Sequence, residues 1–533
     1  MNILALHTMG HDTAACLFRD ETLVFAIETE RLTRVKHDHQ VIHALEHLMA
    51  QCALRPEDVD LIALSTNVRG SIARVRDLDA IQSRIEAGAL HVEGICELLG
   101  QPIPCLVVAH EASHAAVAVH YGGYVSNSVI LVNEGRGTFS RNSCFLHREG
   151  SLTLVDQDAL PWYGTGFGWS ALGYLIGFGK SPSAAGTLMA MGAYGRHRPA
   201  LEALLRGIKD EFHTSERCKQ RHQASPLIDY LDAHPSFDDR ADLVHTFQLL
   251  FSETVHSYLV QQRNTLGVEH IGLGGGCALN LPTNTKIRRE LSPSLSIAPM
   301  CNDAGQALGA GLYALRFYLG QHPAPFSPYQ CGAPLVGDEI QAAIARAQLI
   351  PQPYDPEFVA KRLADGAVVA FSQGGSELGP RALGNRSLLA STTRPGMRAR
   401  VSERIKERQW FRPLAALMRE ERFAALFPGA PPSPYMLFQY DMPAGLATEA
   451  THADGTSRLQ TLARDVNPAL HTLLAEYEYQ TGEPGLINTS LNGPRKAIAY
   501  TAQDVIDDFL ERDVDLFVFD DVVALRPQAR LNS

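Results

Sequence analysis

The sequence predicts an α/β protein built from at least two domains. Three observations carry this reading. The chain is 533 residues long, and one hydrophobic core stops growing at about 250–300 residues. Short apolar runs alternate with longer helical patterns through the first 320 residues. A proline-dense stretch then interrupts the pattern before a second α/β region begins. A composition of 45% hydrophobic and 20% charged residues is ordinary for a globular protein and gives no sign of disorder.

In chain order, the strand candidates are Asn2–Leu6, Leu61–Ser65, Cys105–Val108, Ser128–Val132 and His270–Leu273. Helical stretches such as His43–Leu54 and Leu243–Arg263 lie between them, the alternation expected of an α/β fold. The run Gln-His-Pro-Ala-Pro-Phe-Ser-Pro and the following Tyr-Gln-Cys-Gly-Ala-Pro, residues 321 onward, cannot be helix interior. This places a boundary near 345 and gives domains 1–345 and 346–533. In the second, Ala367–Phe371 and Asp515–Phe519 read as strands. Asn467-Pro468 and Gly482 bracket a helix by the proline-in, glycine-out rule. No internal repeat is evident.

The net charge is −11, which argues against a general nucleic-acid surface. Any polyanionic ligand must then be held by a local cluster of Lys and Arg. The nine Cys contain no C-x-x-C pair and read as reduced thiols. Met1–Leu6 is too short for a signal-peptide core, and no stretch approaches the ~20 apolar residues of a membrane span. A cytoplasmic location is expected, with no membrane and no nucleic-acid partner.

Three places carry chemistry. The first is His110-Glu-Ala-Ser-His114, whose imidazoles at i and i+4 share one helix face. The pattern matches H-E-x-x-H in form, so a metalloprotease is a formal alternative. No protease-type third ligand lies nearby, however, and the helix continues small and apolar. On spacing alone, a metal pair and a plain helix face with one hydrogen-bonded His stay equal. Asp303 is a candidate third ligand or an ordinary N-cap. Two His and one carboxylate suit Fe(II), Mn(II) or Zn(II).

The second is a set of strand-end turns: Gly10–Thr13, Asn133–Thr138 and Gly274–Asn280. Such turns aim backbone N–H groups at phosphate. No P-loop motif is present, and the Gly274-Gly275-Gly276 run is not a dinucleotide fingerprint. The third is the densest: Gly375 through Ser387, then Lys406-Glu-Arg408-Gln-Trp-Phe-Arg412-Pro, Asp454-Gly-Thr-Ser-Arg458 and Asn488-Thr-Ser490-Leu-Asn492. Guanidinium groups suit phosphate and carbamoyl oxygens. Gly379 and Pro380 beside Arg381 impose a special backbone path that a plain solvated surface does not need.

Together these sites resemble the NodU/CmcH carbamoyltransferase family (tobramycin carbamoyltransferase type), nearly end to end. Gly379-Pro-Arg-Ala-Leu-Gly-Asn-Arg-Ser387 is close to the family signature G-P-R-A-L-G-x-R-S. Trp410-Phe-Arg-Pro413, Asn488–Asn492 and the His110, His114, Asp303 set add support. The resemblance implies an actin/Hsp70-like (Kae1-like) N-terminal domain joined to a YrdC-like α/β C-terminal domain. It implies that carbamoyl phosphate and ATP, with Mg, form carbamoyl adenylate in the C-terminal domain. Arg381, Arg386, Lys406, Arg412, Arg458, Asn488 and Ser490 would bind them there. The carbamoyl group would then pass to a hydroxyl of a small metabolite such as a natural product.

By the same resemblance, His110, His114 and Asp303 would hold a divalent metal, iron first, with manganese or zinc as alternatives. Gly135, Gly137, Gly274, Gly275, Gly276 and Asn280 would flank the nucleotide. His11 and Asp12 would sit near the acceptor hydroxyl, with Arg381 and Lys406 catalytic in the other domain. Two segments depart from the family: Glu134-Gly-Arg-Gly-Thr138 stands where many members have Asp-Gly-x-Gly-Glu, and Thr187 where many have Lys. Trp162–Gly168 or Ser181–Thr187 would line the acceptor pocket. A threonylcarbamoyl-type tRNA enzyme and an ATP-gated binding module are the competing readings.

Overall fold

In a computed structural model, residues 1–8, 10–65, 73–179, 183–208 and 226–527 are described. They form three sheets, of seven, five and nine strands. The first sheet runs in the order Thr22–Glu28, Ala14–Arg19, Asn2–His7, Leu61–Ser65, Gln101–Val108, His91–Leu98, Ala73–Val75. Its first three strands are an antiparallel meander; Leu61–Ser65 and Gln101–Val108 then add in parallel.

The second sheet repeats this plan. Ser128–Asn133, Asn142–Arg148 and Ser151–Gln157 form a meander; His270–Gly274 adds in parallel to its first strand, and Ser296–Ile297 adds in parallel to His270–Gly274. The duplicated topology is that of the actin/Hsp70-like fold. It also supplies the internal repeat that the sequence does not display, because the two halves share a path and not a residue pattern.

Helix His110–Tyr121 packs on helix Gln306–Tyr313. The two touch at Gly309, where an added Cβ would lie 2.2 Å from the Ser113 carbonyl oxygen. Only a missing side chain permits this spacing, and it sets the histidine-bearing helix against the Asp303 turn.

The third sheet is mixed, in the order Ile350–Pro353, Val522–Leu525, Leu516–Phe519, Val369–Ser372, Arg386–Ser391, Gly485–Ser490, Ala415–Arg419, Thr456–Leu462, Gln439–Asp441. It agrees with the YrdC-like α/β expectation. Residue 345 falls inside helix Gly337–Arg346, which packs against Ala502–Phe509. A helix committed to the C-terminal sheet moves the boundary we propose to before Gly337. One buried apolar cluster continues from Leu131 and Trp169 through Phe411 to Phe517, so the two regions share a core.

Candidate active site

His110 and His114 project from the first turns of their helix, and their Nε2 atoms approach to 3.1 Å. The Asp303 carboxylate meets both, at 3.5 and 3.4 Å. Asn302 takes the N-cap position of the Asp303–Gly305 turn, which leaves the Asp303 side chain for the histidines. Glu134, from the turn after Ser128–Asn133, closes the group with Oε1 3.1 Å from His114 Nε2. These four offer donor atoms all within 4.8 Å of one another. Two imidazoles and two carboxylates so arranged fit Fe(II), Mn(II) or Zn(II). Burial pulls the His114 pKa down, but hydrogen bonds to Asp303 and Glu134 outweigh it and lift it to about 9. Burial also opposes ionisation of Asp303, yet His110, His114 and His11 hold it well below the usual carboxylate range.

Glu134 is not among the residues singled out above as ligands; its only signal is its place in a strand-end turn. Glu111, which a zincin would use as a free base, instead accepts the Phe139 and Ser140 N–H groups at 3.0 and 3.1 Å. The metalloprotease alternative fails on that geometry.

Beside this group lies a His–Asp–His array. His11 Nδ1 and His37 Nδ1 meet opposite oxygens of Asp12 at 3.0 and 2.8 Å. Asp12 occupies a left-handed turn position, φ 59°. Burial would raise its pKa, but the two imidazoles overcome this and hold it at about 2. His11 also approaches Asp303 Oδ2 at 3.6 Å, so the array adjoins the metal-type donors.

Two cavities converge here. One, of about 530 Å³, is lined by His11, Asp12, Glu134, Asp303, Lys36 and Arg381 among others. The other, of about 310 Å³, is lined by Arg381, Arg412, Arg458, Asn488 and Ser490. Arg381, Arg408, Arg412 and Ser490 belong to both walls. Burial lowers the pKa of Arg458, and Arg381, Arg408 and Arg412 lower it further. The same causes take Arg408 to about 9. Among the described residues, Arg381 Nε and Arg458 Nε have no hydrogen-bond partner. Four guanidinium groups that face one cavity system, with no ion-pair partner among the described residues, form a site for anionic oxygens.

The predicted residues divide between wall and scaffold. Arg381, Arg412, Arg458, Asn488, Ser490, His11, Asp12, Gly135, Gly276 and Asn280 line the cavities. Arg386 does not: its guanidinium is fully buried and donates to the carbonyls of Tyr500, Gln373, Asn385 and Gly374. Lys406 is also off the walls. It lies behind Ser490 and donates to Ser490 Oγ at 3.1 Å and Asn492 Oδ1 at 2.7 Å. Three glycines serve packing rather than the cavity. A Cβ at Gly137 would meet Glu111, one at Gly274 the His114 backbone, and one at Gly275 Asn133 and Glu134.

Arg408 and Lys36 are cavity residues that the sequence reading passed over. Arg408 sat inside a quoted motif; Lys36 had no signal, since it comes from the other domain. Of the acceptor segments, Gly166 and Phe167 line the larger cavity. Residues 181–182 lie outside the described residues, but Ala185 and Gly186 reach the same wall.

A profile of the carbamoyltransferase N-terminus matches residues 2–77 and 87–312, and one of the carbamoyltransferase C-terminus matches residues 360–526. The chain belongs to the carbamoyltransferase family. Nodulation protein NolNO of Sinorhizobium fredii is 29% identical to this carbamoyltransferase over 96% of the chain and 78% of its own length. Nodulation protein U of the same organism is 29% identical, covering 91% and 92%. Full-length HypF in its phosphate- and nucleotide-bound form is a remote structural likeness, 12% identical over 59% of this chain and 55% of that one, with a TM-score of 0.34. That score is too low to argue from. Membership makes the protein an enzyme, with carbamoyl phosphate and a hydroxyl acceptor as implied substrates, and removes the binding-module reading. Among the described residues no helix is long and apolar enough to cross a membrane.

Proposed function

We propose that this carbamoyltransferase forms carbamoyl adenylate from carbamoyl phosphate, water and ATP at the arginine cavity, with release of phosphate and pyrophosphate, and transfers the carbamoyl group to a hydroxyl of a small metabolite at the larger one, with release of AMP. The observation that carries the reading is the wall shared by the two cavities, where Arg381, Arg408 and Arg412 stand without an ion-pair partner among the described residues. Arg381, Arg412 and Arg458, with Asn488 and Ser490, bind phosphate and carbamoyl oxygens. Arg408 and Lys36 add charge where the cavities join, and Lys406 holds Ser490 in place. Gly135, Gly276 and Asn280 flank the nucleotide.

In this reading the His11–Asp12 pair takes the proton of the acceptor hydroxyl, a role typically worth about 10²–10⁴-fold. His110, His114, Asp303 and Glu134 would hold a divalent metal, which would supply Lewis-acid stabilisation of phosphate oxygens. The carbamoyl carbon is a weak electrophile because nitrogen donates into it, so attachment to AMP provides a better leaving group. A passage between adjoining cavities limits hydrolysis of that labile intermediate.

The test is pyrophosphate release from ATP on addition of carbamoyl phosphate, without and with a panel of hydroxyl acceptors. Release by the wild type, loss in Arg381→Ala, and retention in His114→Ala with transfer blocked are the expected results. No carbamoyl-phosphate-dependent release would end the adenylate reading. Tight, salt-sensitive tRNA binding would favour the threonylcarbamoyl alternative instead.

A further inference from the structure

The signature turn Gly379-Pro380-Arg381 belongs to the C-terminal sequence region, yet its backbone is gripped by N-terminal side chains. The Gly379 N–H donates to Glu28 Oε1 at 2.6 Å, and the Gly379 carbonyl accepts from Arg31 at 2.6 Å. Arg31 is itself clamped by Glu28 at 3.0 Å and Glu30 at 2.6 Å. Glu28, Glu30 and Arg31 are all buried. On the other side, Gly379 lies against Pro299 and Met300, just ahead of Asp303. Its φ is +105°, and an added Cβ would come 2.9 Å from the Pro299 carbonyl oxygen. The turn therefore sits in a slot with hydrogen-bonding groups on one side and backbone on the other.

The grip continues toward the transfer cavity. Glu30 Oε2 accepts the His37 N–H at 2.9 Å, and His37 Nδ1 meets Asp12 at 2.8 Å. A continuous polar chain thus runs Asp12–His37–Glu30–Arg31–Gly379 and ends two positions before Arg381, which lines both cavities. Buried ion pairs are weak stabilisers, but losing one partner leaves an uncompensated charge.

We propose that Arg31, held by Glu28 and Glu30, is a positioning residue for the reaction: it sets the turn that presents Arg381 to the phosphorylated substrates, and so makes the arginine site depend on the N-terminal domain. Arg31 touches no substrate in this account and acts through Gly379. Lysine at this position would keep the charge but lose the fork that reaches both carboxylates and the carbonyl together. The proposal rests on adenylate formation at the arginine cavity.

The experiment measures pyrophosphate release against carbamoyl-phosphate concentration for wild type, Arg31→Lys, Glu28→Gln and Arg34→Lys, with thermal midpoints for all. Arg34 is the control. It also bridges the domains, through Asp508 and the Ala497 carbonyl, but does not touch Gly379. The expected result is a roughly tenfold or greater rise in KM for carbamoyl phosphate in Arg31→Lys, a smaller rise in Glu28→Gln, and little change in Arg34→Lys at a comparable loss of midpoint. Equal kinetic effects in Arg31→Lys and Arg34→Lys at matched stability would overturn the positioning role. So would an unchanged KM in a folded Arg31→Lys. If Arg31→Lys does not fold, the near-isosteric Glu28→Gln decides, and a wild-type KM in it rejects the proposal. Absence of release by the wild type would instead reject the adenylate reading itself.

Discussion

At the residue scale, Arg381 and Arg386 stand in one nine-residue signature, yet one guanidinium faces the cavities and the other is consumed by four carbonyls. Glu377 explains the split: its carboxylate accepts the N–H groups of Leu383, Asn385 and Arg386 and curls the chain between the two arginines. Arg386→Ala should therefore unfold or destabilise the C-terminal region in denaturant titrations. Arg408→Ala should leave stability near wild type while cutting pyrophosphate release by about 10²–10³, the usual loss for one preorganised donor. A second prediction concerns His452, on the wall of the smaller cavity. Burial depresses its pKa to about 4, with Arg458 and Arg398 adding to the effect and Asp454 opposing it. Between about pH 6.5 and 4 the unfolded chain binds a proton that the folded chain does not, so stability falls as pH drops through that window. Chemical denaturation at pH 7 and pH 4.5 should show a larger loss for wild type than for His452→Gln; equal losses would rule the imidazole out as the source.

At the element scale, strands were legible because each is a short apolar run cut off by turn residues. Leu61–Ser65 is a strand over the span read from sequence, and Asn2–His7 and Ser128–Asn133 differ by one residue at an end. Helix ends were harder: Leu243–Arg263 is the middle of a longer helix, Phe237–Leu266, capped by Ser236 and closed by Gly267 at φ 65°. Three of the four donors in the metal-type group are named from the sequence. The i, i+4 pair announces itself on one helix and Asp303 stands as a candidate third ligand or an N-cap, whereas Glu134 arrives from a turn that only tertiary packing brings near. The contact between helices His110–Tyr121 and Gln306–Tyr313 fixes that meeting. Gly309→Ala would drive a methyl group into the Ser113 carbonyl. Overpacking of this kind typically costs about 1–3 kcal/mol. Because the displaced helix carries both histidines, bound metal measured after dialysis should fall together with the unfolding midpoint. A variant that loses stability and keeps full metal content would show that the contact does not align the donors.

At the scale of the whole molecule, the proline-dense stretch suggested two domains joined by a linker, and that picture understates how they are joined. The stretch is covered rather than free: Cys331 donates to Ser376, and Ala26 donates to Cys331, so the linker bridges a strand of the first sheet and the signature region. The largest apolar cluster includes Leu131 and Phe247 from one region and Ala416 and Phe517 from the other. Asp508 adds a polar staple: it is buried and accepts from Arg34 across the interface and from Gly493 and Lys496 on its own side. The contacts between regions are not readable from a sequence in which Ala26 and Cys331, or Arg34 and Asp508, lie hundreds of residues apart. Separate domains with a polar interface unfold in separate steps, whereas a shared core couples them. Scanning calorimetry of the full chain should therefore give one endotherm. Asp508→Asn leaves Arg34 and Lys496 facing a neutral acceptor in a buried setting, a loss of charge-assisted bonds that are worth about 1.5–3 kcal/mol each. If the staple and the core act together, that variant shifts the single endotherm downward without splitting it. Two resolved transitions in the wild type would mean that the apolar contact does not couple the regions. A split only in Asp508→Asn would assign the coupling to the staple, and with it the geometry on which the shared arginine wall depends.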